Sequence, residues 1–283
     1  MQALTRTLAV TGSTGRLGRK VARRLAAAGV PQRLLVRDPA RVPKLEATEV
    51  AVTSYGDAEA ARRALDGVDT VFMVSGSEDP DRVRQHTTFV AAAVAAGVSR
   101  LVYVSFVAAA PDATFTLARD HWATEQRIRA SGLRFTILRD NIYLDFLPLM
   151  AGVEGVIRGP AGEGRVAAVA QDDIADVAVA VLRDPGRHDG MTYDLTGREA
   201  LTLHEVAGTL SEGHGRAVRY QPETVPEAYA SRARYNAPDW QVDAWVSTYT
   251  AIAAGELAGI SDTVARIAGH PPLTLRELLD RRR

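Results

Sequence analysis

Residues 8–37, LAVTGSTGRLGRKVARRLAAAGVPQRLLVR, contain the pattern that decides the fold of this chain. An apolar run opens the stretch, and glycines then follow at every third position, Gly12, Gly15 and Gly18. Apolar side chains next recur at helical spacing until Gly29, which marks the stop expected just past a helix C-terminus. A second apolar run follows and ends in an arginine. Strand, tight turn, helix and strand in this order are typical of the first half of a dinucleotide-binding unit.

The glycine turn predicts a site for a diphosphate. Gly12 allows the tight turn, Gly15 lets the backbone approach the phosphates, and Gly18 lets the helix pack close to the strand. The helix N-terminus offers unpaired N–H groups and a partial positive charge to the anion. An ordinary glycine-rich turn between a strand and a helix is the alternative. The residues predicted to bind the cofactor here are Gly12, Ser13, Thr14, Gly15, Arg16, Leu17 and Gly18.

The end of the second strand indicates which dinucleotide binds. An acidic side chain there would hold a ribose 2′-OH and repel a 2′-phosphate, whereas an arginine would do the opposite. Arg37 occupies this position, 19 residues after Gly18 (37 − 18 = 19), and Arg16 lies inside the turn within reach of the same phosphate. Asp38 weakens this signal, although its side chain is equally suited to cap a helix that begins at Pro39. We therefore expect NADP(H) in preference to NAD(H), with plain solvation of both arginines as the alternative.

Composition bounds the class of protein. The 283 residues are 46% apolar and 24% charged with zero net charge, as in a soluble globular protein that can bury a full core. Neutral charge gives no reason to expect nucleic acid or an anionic membrane as a partner. The absence of cysteine excludes disulfides, thiolate metal sites and a cysteine nucleophile. His86, His204, His214 and His270 lack metal-ligand spacing, so we expect no metal. No signal peptide or membrane-spanning segment is evident, so a cytoplasmic location is expected.

The first half of the chain alternates apolar strands with helices, apart from a short polar helix predicted at 39–45. Nearly continuous apolar runs, such as residues 70–74, fit central parallel strands that are covered on both faces. We therefore predict an α/β fold with a Rossmann-type doubly wound parallel sheet and right-handed crossovers. Its six strands are expected at residues 8–10, 34–36, 49–53, 70–74, 100–104 and 135–139.

Beyond Asn141 the pattern changes. Residues 152–165 are rich in glycine and predict a loop, 191–195 predict a strand that rejoins the sheet, and the segment after Thr224 is mostly helical. The predicted division is an NAD(P)-binding Rossmann domain at 1–150, to which segments of 166–197 return, and a smaller, helix-rich substrate-binding lobe at 151–283.

Ligands of an open α/β sheet collect outside the carboxyl ends of its strands. Ser75 and Gly76 follow the fourth predicted strand and would line the path from adenine to nicotinamide. Ser105 and Phe106 follow the fifth and would lie beside the nicotinamide. The alternative for either serine is a small residue whose hydroxyl is satisfied by the backbone.

The helix predicted at 116–130 constrains the mechanism. Leu117, His121 and Glu125 are four residues apart and share one face. In this part of the chain a classical short-chain dehydrogenase carries a Tyr-x-x-x-Lys pair, often followed four residues later by a glutamate. Aligning that glutamate with Glu125 places Leu117 at the tyrosine and His121 at the lysine. The proton-donating pair is therefore predicted to be absent.

Five stretches carry a resemblance to a known family: LAVTGSTGRLG (8–18), VRDPARVPKL (36–45), YGDAEAARRALDGV (55–68), LARDHWATEQRIRASGLRFTILRDNIYLDF (117–146) and SDTVARIAGHPPLTLRELL (261–279). They resemble the NmrA-like, atypical short-chain dehydrogenase/reductases, among them the type 2 NAD(P)H:quinone oxidoreductases and the triphenylmethane reductases. The resemblance implies a Rossmann domain, NADPH as ligand and a pocket roofed by the C-terminal lobe. It also implies that a missing Tyr–Lys pair is normal in this branch.

Two residues depart from the family pattern. Ser54 stands where relatives often have an aspartate near the adenine, which weakens that predicted contact. Asp140 stands where relatives usually have asparagine or proline, and it bears on the nicotinamide side of the site.

The missing acid favours particular acceptors. Reduction of a simple ketone creates an alkoxide, which needs a positioned proton donor. Reduction of a quinone creates a much less basic, phenolate-like anion that water can protonate, and reduction of a cationic dye only neutralises charge. Catalysis would then consist chiefly of holding the nicotinamide against a conjugated or cationic acceptor in a dry pocket.

Three residues are candidate catalytic groups. His121 could donate a proton or bond a substrate oxygen, or it could only bond backbone or ribose at the lysine position. Tyr143 could donate a proton or stack on an aromatic acceptor, or be a core tyrosine with a satisfied hydroxyl. Asn141 could orient a carbonyl or carboxamide group.

The leading hypothesis is an NADPH-dependent reductase that transfers hydride directly to a quinone-like or other conjugated aromatic small molecule. The alternative is a non-catalytic regulator that binds NADP(H) and a partner protein, since the resembled family includes both kinds. The segments around His121 and 139–146 resemble the reductases and favour the enzyme. A monomer and a homodimer are equally compatible with the sequence.

Overall fold

The structure is a computed structural model that describes residues 7–281, without the side chain of His214. Residues 1–6 and 282–283 of the two predicted domains therefore lie outside the described part. The strands are β1 (Thr7–Thr11), β2 (Gln32–Val36), β3 (Thr48–Val52), β4 (Val68–Val74), β5 (Arg100–Phe106), β6 (Arg134–Asp140), β7 (Val156–Gly159), β8 (Arg165–Val166), β9 (Thr192–Leu195), β10 (Leu201–Thr202) and β11 (Arg219–Pro222). The α-helices are α1 (Arg16–Ala27), α2 (Ala58–Ala64), α3 (Arg82–Ala95), α4 (Thr116–Arg129), α5 (Leu147–Met150), α6 (Gln171–Arg183), α7 (Leu203–His214), α8 (Val225–Arg232), α9 (Asp239–Ala253), α10 (Thr263–Ala268) and α11 (Leu275–Asp280).

Seven strands form one parallel sheet in the order β3-β2-β1-β4-β5-β6-β9. This order confirms the predicted doubly wound sheet and the return of the strand after α6. The order reverses beside β1, whose neighbours are β2 and β4. In open α/β sheets the crevice at such a switch point is where ligands bind.

The chain forms two compact units that interleave along the sequence. The first runs up to Ser105 and adds Asp120–Arg139 and Ile174–Tyr193, and the second contains Phe106–Arg119, Asp140–Asp173 and the chain from Asp194 onward. The division into domains at residue 150 stays a prediction.

Each unit has its own apolar core. In the first, side chains of α3, α4 and the central strands pack together, among them Phe89, Leu101 and Ile128, all fully buried. In the second, α7 and α11 contribute much of the core through leucines such as Leu210 and Leu278. Two small sheets complete the second unit, with β7 parallel to β11 and β8 antiparallel to β10.

Two predicted segments differ from the structure. Residues 152–165 contain β7 and the start of β8, so the predicted loop is wrong there. Gly159 serves packing, because a Cβ at this position would lie 2.3 Å from the ring of Tyr249. The helix predicted at 39–45 is only a short 3₁₀ turn, Pro39–Arg41. Val42 precedes Pro43, and the residue before a proline is disfavoured in helical conformation.

Among residues 7–281, no helix combines the length and the apolar character that crossing a bilayer requires.

Two helical glycines give a matched test of the packing between α1 and β1. A Cβ at Gly18 would lie 2.4 Å from the carbonyl oxygen of Gly12, whereas a Cβ at Gly208 in α7 meets nothing within 4 Å. We expect Gly18→Ala to lower the free energy of unfolding by about 1–3 kcal/mol through overpacking. Gly208→Ala should raise it by about 0.5–1 kcal/mol, because alanine is the better helix former. Urea denaturation of both variants measures this, and equal effects would contradict the tight contact.

Candidate active site

The glycine turn after β1 brings strand and helix into direct contact. Gly12 has a φ of +65°, in the left-handed region that favours glycine, and a Cβ there would lie 3.0 Å from the Cβ of Val74. The N–H of Gly15 donates to the carbonyl of Gly12 at 2.8 Å and closes the turn. A Cβ at Gly15 would lie 3.2 Å from that same oxygen. Gly12 is therefore required by its backbone conformation and Gly18, whose Cβ would lie 2.4 Å from the Gly12 oxygen, by close backbone approach, while a Cβ at Gly15 would be tightly packed.

The N-terminus of α1 is suited to an anion. Its N-cap is Gly15, which supplies no side-chain acceptor, and no acidic residue lies in the first turn. The first N–H groups of a helix lack partners within the helix and carry a partial positive charge. Ser13 adds a buried hydroxyl whose Oγ has no hydrogen-bond partner among the described residues. These observations fit the diphosphate of a dinucleotide.

Tyr55 ties the ends of β1 and β4 together beside this turn. Its hydroxyl donates to the carbonyl of Val74 and lies 2.6 Å from Oγ1 of Thr11. The N–H of Val74 in turn donates to Thr11 Oγ1 at 2.9 Å. Burial raises the pKa of Tyr55, which keeps its hydroxyl protonated as a donor. The switch point is thus fixed by three side-chain bonds that sequence reasoning missed.

The two arginines predicted to select the dinucleotide are both exposed. Arg37 directly follows β2, and Arg16 is the first residue of α1. Asp38 caps the 3₁₀ turn, since its carboxylate accepts from the N–H of Ala40 at 2.9 Å. The acidic side chain that weakened the prediction of NADP(H) therefore has a structural role.

The backbone of Gly76, just past β4, is held by two side chains of α3. Its N–H donates to Nε2 of His86 at 2.9 Å, and its carbonyl accepts from Nε of Arg82 at 2.9 Å. Ser75 and Gly76 are half-buried, whereas His86 and Arg82 are buried. Burial and the charge of Arg82 lower the pKa of His86 to about 3. His86 is therefore neutral at pH 7 and can accept this bond.

His121 lies inside the first unit with both ring nitrogens engaged. Nε2 is 2.9 Å from a guanidinium nitrogen of Arg82, and Nδ1 is 3.0 Å from the hydroxyl of Tyr103. Because a guanidinium can only donate, Nε2 is the acceptor and we assign the proton to Nδ1. Burial first, and Arg82 next, lower the pKa of His121 well below its ordinary value. This environment favours the alternative in which His121 only forms hydrogen bonds. The role of His121 as a proton donor stays an untested prediction.

Ser105, near the end of β5, donates a hydrogen bond to a buried carboxylate. Its hydroxyl donates to Oε1 of Glu125 at 2.6 Å. Glu125 is fully buried and receives a two-pronged bond from Arg139, at 2.8 and 2.7 Å. A carboxylate held by a guanidinium fork is a strong acceptor. The Ser105 hydroxyl therefore donates to Glu125 and not to a ligand.

Three more of the predicted site residues, Phe106, Asn141 and Tyr143, belong to the second unit. Phe106 packs edge-on against Phe115, with ring centroids 5.0 Å apart, in that unit's core. Asn141 is buried and uses its amide internally, donating to the carbonyl of Leu257 at 3.0 Å and accepting from the N–H of Ile142 at 2.7 Å. The side chain of Tyr143 is half-buried.

The sequence does hold a signal for the polar groups that were missed. Arg82 and His86 are four residues apart on the buried face of α3, as His121 and Glu125 are on that of α4. Paired polar residues on otherwise apolar helix faces must find partners inside, since an unpaired buried polar group is costly. Sequence reasoning weighed His86 only as a metal ligand and passed over Arg82.

Comparison with known proteins places this geometry among reductases. The sequence model described as the NmrA-like family matches residues 4–239. NAD(P)H azoreductase of Xenophilus azovorans is 35% identical over 95% of each chain. The structure of an NADPH-dependent quinone oxidoreductase from Escherichia coli complexed with NADPH is 32% identical, covers 97% of this chain and 99% of that chain, and has a TM-score of 0.89. Citrobacter sp. triphenylmethane reductase complexed with NADP(H) is 31% identical over 97% and 99%, with a TM-score of 0.86. The resemblance inferred from the sequence is confirmed.

The two buried histidines predict how stability depends on pH. Both have lowered pKa values in the folded protein, to about 3 for His86. The unfolded chain therefore binds protons that the folded chain does not once the pH falls below about 6.5. Stability should be fully present above that pH and decline toward pH 3, by about 1.4 kcal/mol per pH unit for each histidine.

Urea denaturation between pH 7.5 and 5 measures this slope. His86→Gln should remove about half of the histidine contribution to this slope. A slope that His86→Gln does not alter would contradict the buried neutral state of His86.

Proposed function

The chain belongs to the NmrA-like family, and on that premise we propose that it is an NADPH-dependent reductase of quinone-like or other conjugated aromatic electrophiles. The observation on which the proposal depends is the state of two potential proton donors of the first unit, Ser105 on β5 and His121 on α4. The Ser105 hydroxyl donates a hydrogen bond to Glu125. His121 is a neutral imidazole whose two nitrogens are both hydrogen-bonded. Such a site is suited to acceptors whose reduction needs no acid from the protein.

The proposed cofactor site is built on the glycine turn. The N–H groups at the start of α1, with Ser13 and Thr14, would hold the diphosphate, and Arg37 with Arg16 would hold the 2′-phosphate. Ser75, Gly76 and Ser105 of the same unit complete the proposed set of cofactor residues. NADPH, when bound, supplies the hydride. The complexes of the quinone oxidoreductase with NADPH and of triphenylmethane reductase with NADP(H) support this choice.

The proposed acceptors follow from the proton balance. A ketone becomes an alkoxide that needs a positioned acid with a pKa near the working pH. Neither Ser105, bonded to Glu125, nor His121, whose pKa is lowered, meets that requirement. Hydride transfer to a quinone forms a hydroquinone anion, a weak base that water protonates, and hydride transfer to a cationic dye forms a neutral product. The names of a quinone oxidoreductase and a triphenylmethane reductase agree with this proton balance. The name of an azoreductase agrees with a conjugated aromatic acceptor, although its reduced nitrogen must still take up a proton.

The three candidate catalytic residues receive different proposed roles. His121 orients Tyr103 and Arg82 in its own unit and transfers no proton. Asn141 positions backbone, because its amide bonds the main chain at Leu257 and Ile142. For Tyr143, which lies in the second unit, the stacking role stays a prediction from the sequence.

Turnover with chosen acceptors tests the proposal. NADPH oxidation is followed at the nicotinamide absorbance with benzoquinone, menadione, a triarylmethane dye and cyclohexanone. We expect turnover with the conjugated or cationic acceptors and none with the simple ketone, because the ketone needs an acid that the site does not provide. Tight NADP binding with no turnover of any acceptor would favour a non-catalytic sensor instead.

The control for this test is His121→Gln, which keeps a polar side chain and removes the imidazole. Quinone turnover at saturating NADPH should stay within about threefold of the unchanged protein and vary little between pH 6 and 8, since general acid catalysis contributes about 10²–10⁴ where it operates. A pH profile with a pKa near 6.5 that the substitution abolishes would make His121 the acid after all.

Cofactor preference is tested at Arg37. We expect Arg37→Asp to raise the KM for NADPH about tenfold to a hundredfold, the loss of a charge-assisted bond worth about 1.5–3 kcal/mol, with little effect on the KM for NADH. Arg41→Asp, an exposed arginine four residues on, is the matched control and should change neither constant. Equal effects of Arg37→Asp on both cofactors would contradict the assignment.

A further inference from the structure

The peptide groups on both sides of Gly76 are hydrogen-bonded by two side chains from one turn of α3, and we call this pair of bonds the clamp. His86 accepts from the Gly76 N–H at 2.9 Å, and Arg82 donates to the Gly76 carbonyl at 2.9 Å. The His86 side chain is fully buried and Arg82 is 4% exposed. A loop backbone held by two buried side chains has little freedom to move, because breaking either bond leaves a buried polar group unpaired.

The His86 half of the clamp is fixed from behind by α4. Nδ1 of His86 is 2.9 Å from Oγ1 of Thr124, and that hydroxyl donates to the carbonyl of Asp120 at 2.8 Å. Because the threonine proton is used there, its oxygen accepts from Nδ1–H, and Nε2 is left as the acceptor toward Gly76. The bond to Thr124 therefore selects the tautomer that holds the loop.

The Arg82 half is fixed in the same way. One guanidinium nitrogen lies 2.9 Å from Nε2 of His121, and another lies 3.5 Å from a carboxylate oxygen of Asp120. The planar fork presents its Nε toward the Gly76 carbonyl while its terminal nitrogens bind α4. Both clamp residues are thus bonded to the loop on one side and to α4 on the other.

Gly76 itself is shaped to this clamp and lies next to the glycine turn. A Cβ at Gly76 would be 3.1 Å from Nε2 of His86, so a side chain there would push against the clamp. Val74, two residues earlier, lies against Gly12, where a Cβ would be 3.0 Å from its own. The segment after β4 therefore leaves the sheet beside the turn that would bind the diphosphate.

We propose that His86 and Arg82 are positioning residues for the dinucleotide: by clamping Gly76 they hold the segment 75–77 in its binding conformation and set the affinity for NADPH. This inference rests on the proposed function. It assigns a positioning role to His86 and Arg82, which contact the loop at Gly76 and not the reacting atoms. It predicts an effect on the KM for NADPH with little effect on kcat, a division that general destabilisation does not produce.

The test compares His86→Leu with His86→Gln. Leucine leaves the Gly76 N–H without an acceptor, whereas the glutamine oxygen can accept it. We expect His86→Leu to raise the KM and the Kd for NADPH about tenfold, with kcat at saturating NADPH within twofold, and His86→Gln to restore most of the affinity. An unchanged KM, a fall in kcat at unchanged KM, or equal effects of both variants would overturn the proposal. His188→Leu, which removes a histidine bonded to Tyr193 in the same unit, is the matched control and should leave the KM unchanged.

A double-mutant cycle keeps the proposal testable if His86→Leu folds poorly. Gly76→Ala should raise the KM for NADPH severalfold, because its Cβ displaces His86. In a His86→Ala background that space is free, so the same substitution should have no further effect. Additive effects would overturn the clamp.

The unchanged protein separates this inference from the proposed function. If it does not bind NADPH, both fail. If it binds and oxidises NADPH while His86→Leu keeps the same KM, only the clamp fails.

Discussion

The contact between the backbone of Gly12 and that of Gly18 is the constraint on which the site depends. A single methyl group at Gly18 would lie 2.4 Å from the Gly12 oxygen, so α1 can approach β1 only because that group is missing. The approach brings the uncapped start of the helix to the point where the strand order reverses. The bonds of Tyr55 to Thr11 and Val74 then hold β4 against the same turn. A partial positive charge and a set of free N–H groups result, fixed in place before any ligand arrives.

The surroundings of β5 differ from this turn. Polar side chains there are buried, and burial obliges each of them to find a partner inside the protein. Ser105 bonds Glu125, and His121 bonds Arg82 and Tyr103, so their donors are consumed. The first unit therefore offers hydrogen-bond donors to an anion at β1 and withholds acidic protons at β5. The groups suited to bind an anion and the groups that could supply a proton thus differ, because burial has paired the second set with partners inside the protein.

How far the sequence predicts this molecule depends on how local each determinant is. Gly12, Gly15 and Gly18 act within a few residues, and the pattern around them predicts the β1–α1–β2 unit correctly. Gly159 is also a glycine, but it is required by the ring of Tyr249, which lies far along the chain. The strand that contains Gly159 was therefore predicted as a loop. The clamp on Gly76 and the pairing of Tyr103 with His121 join different elements. Residue spacing shows that such polar groups need partners, and only the packed structure shows which partners they take.

The trio of Tyr103, His121 and Arg82 offers no acid near neutral pH, which agrees with the proposed class of conjugated or cationic acceptors. A tyrosine serves as an acid near neutral pH when an adjacent cation lowers its pKa. Here burial outweighs the charge of Arg82 and raises the pKa of Tyr103, while the imidazole between them stays neutral. The hydroxyl of Tyr103 is thus a hydrogen-bonding group and a poor proton source. A conjugated ring or a cationic dye delocalises the electron pair that arrives with the hydride, and it therefore does not need an acid from this trio.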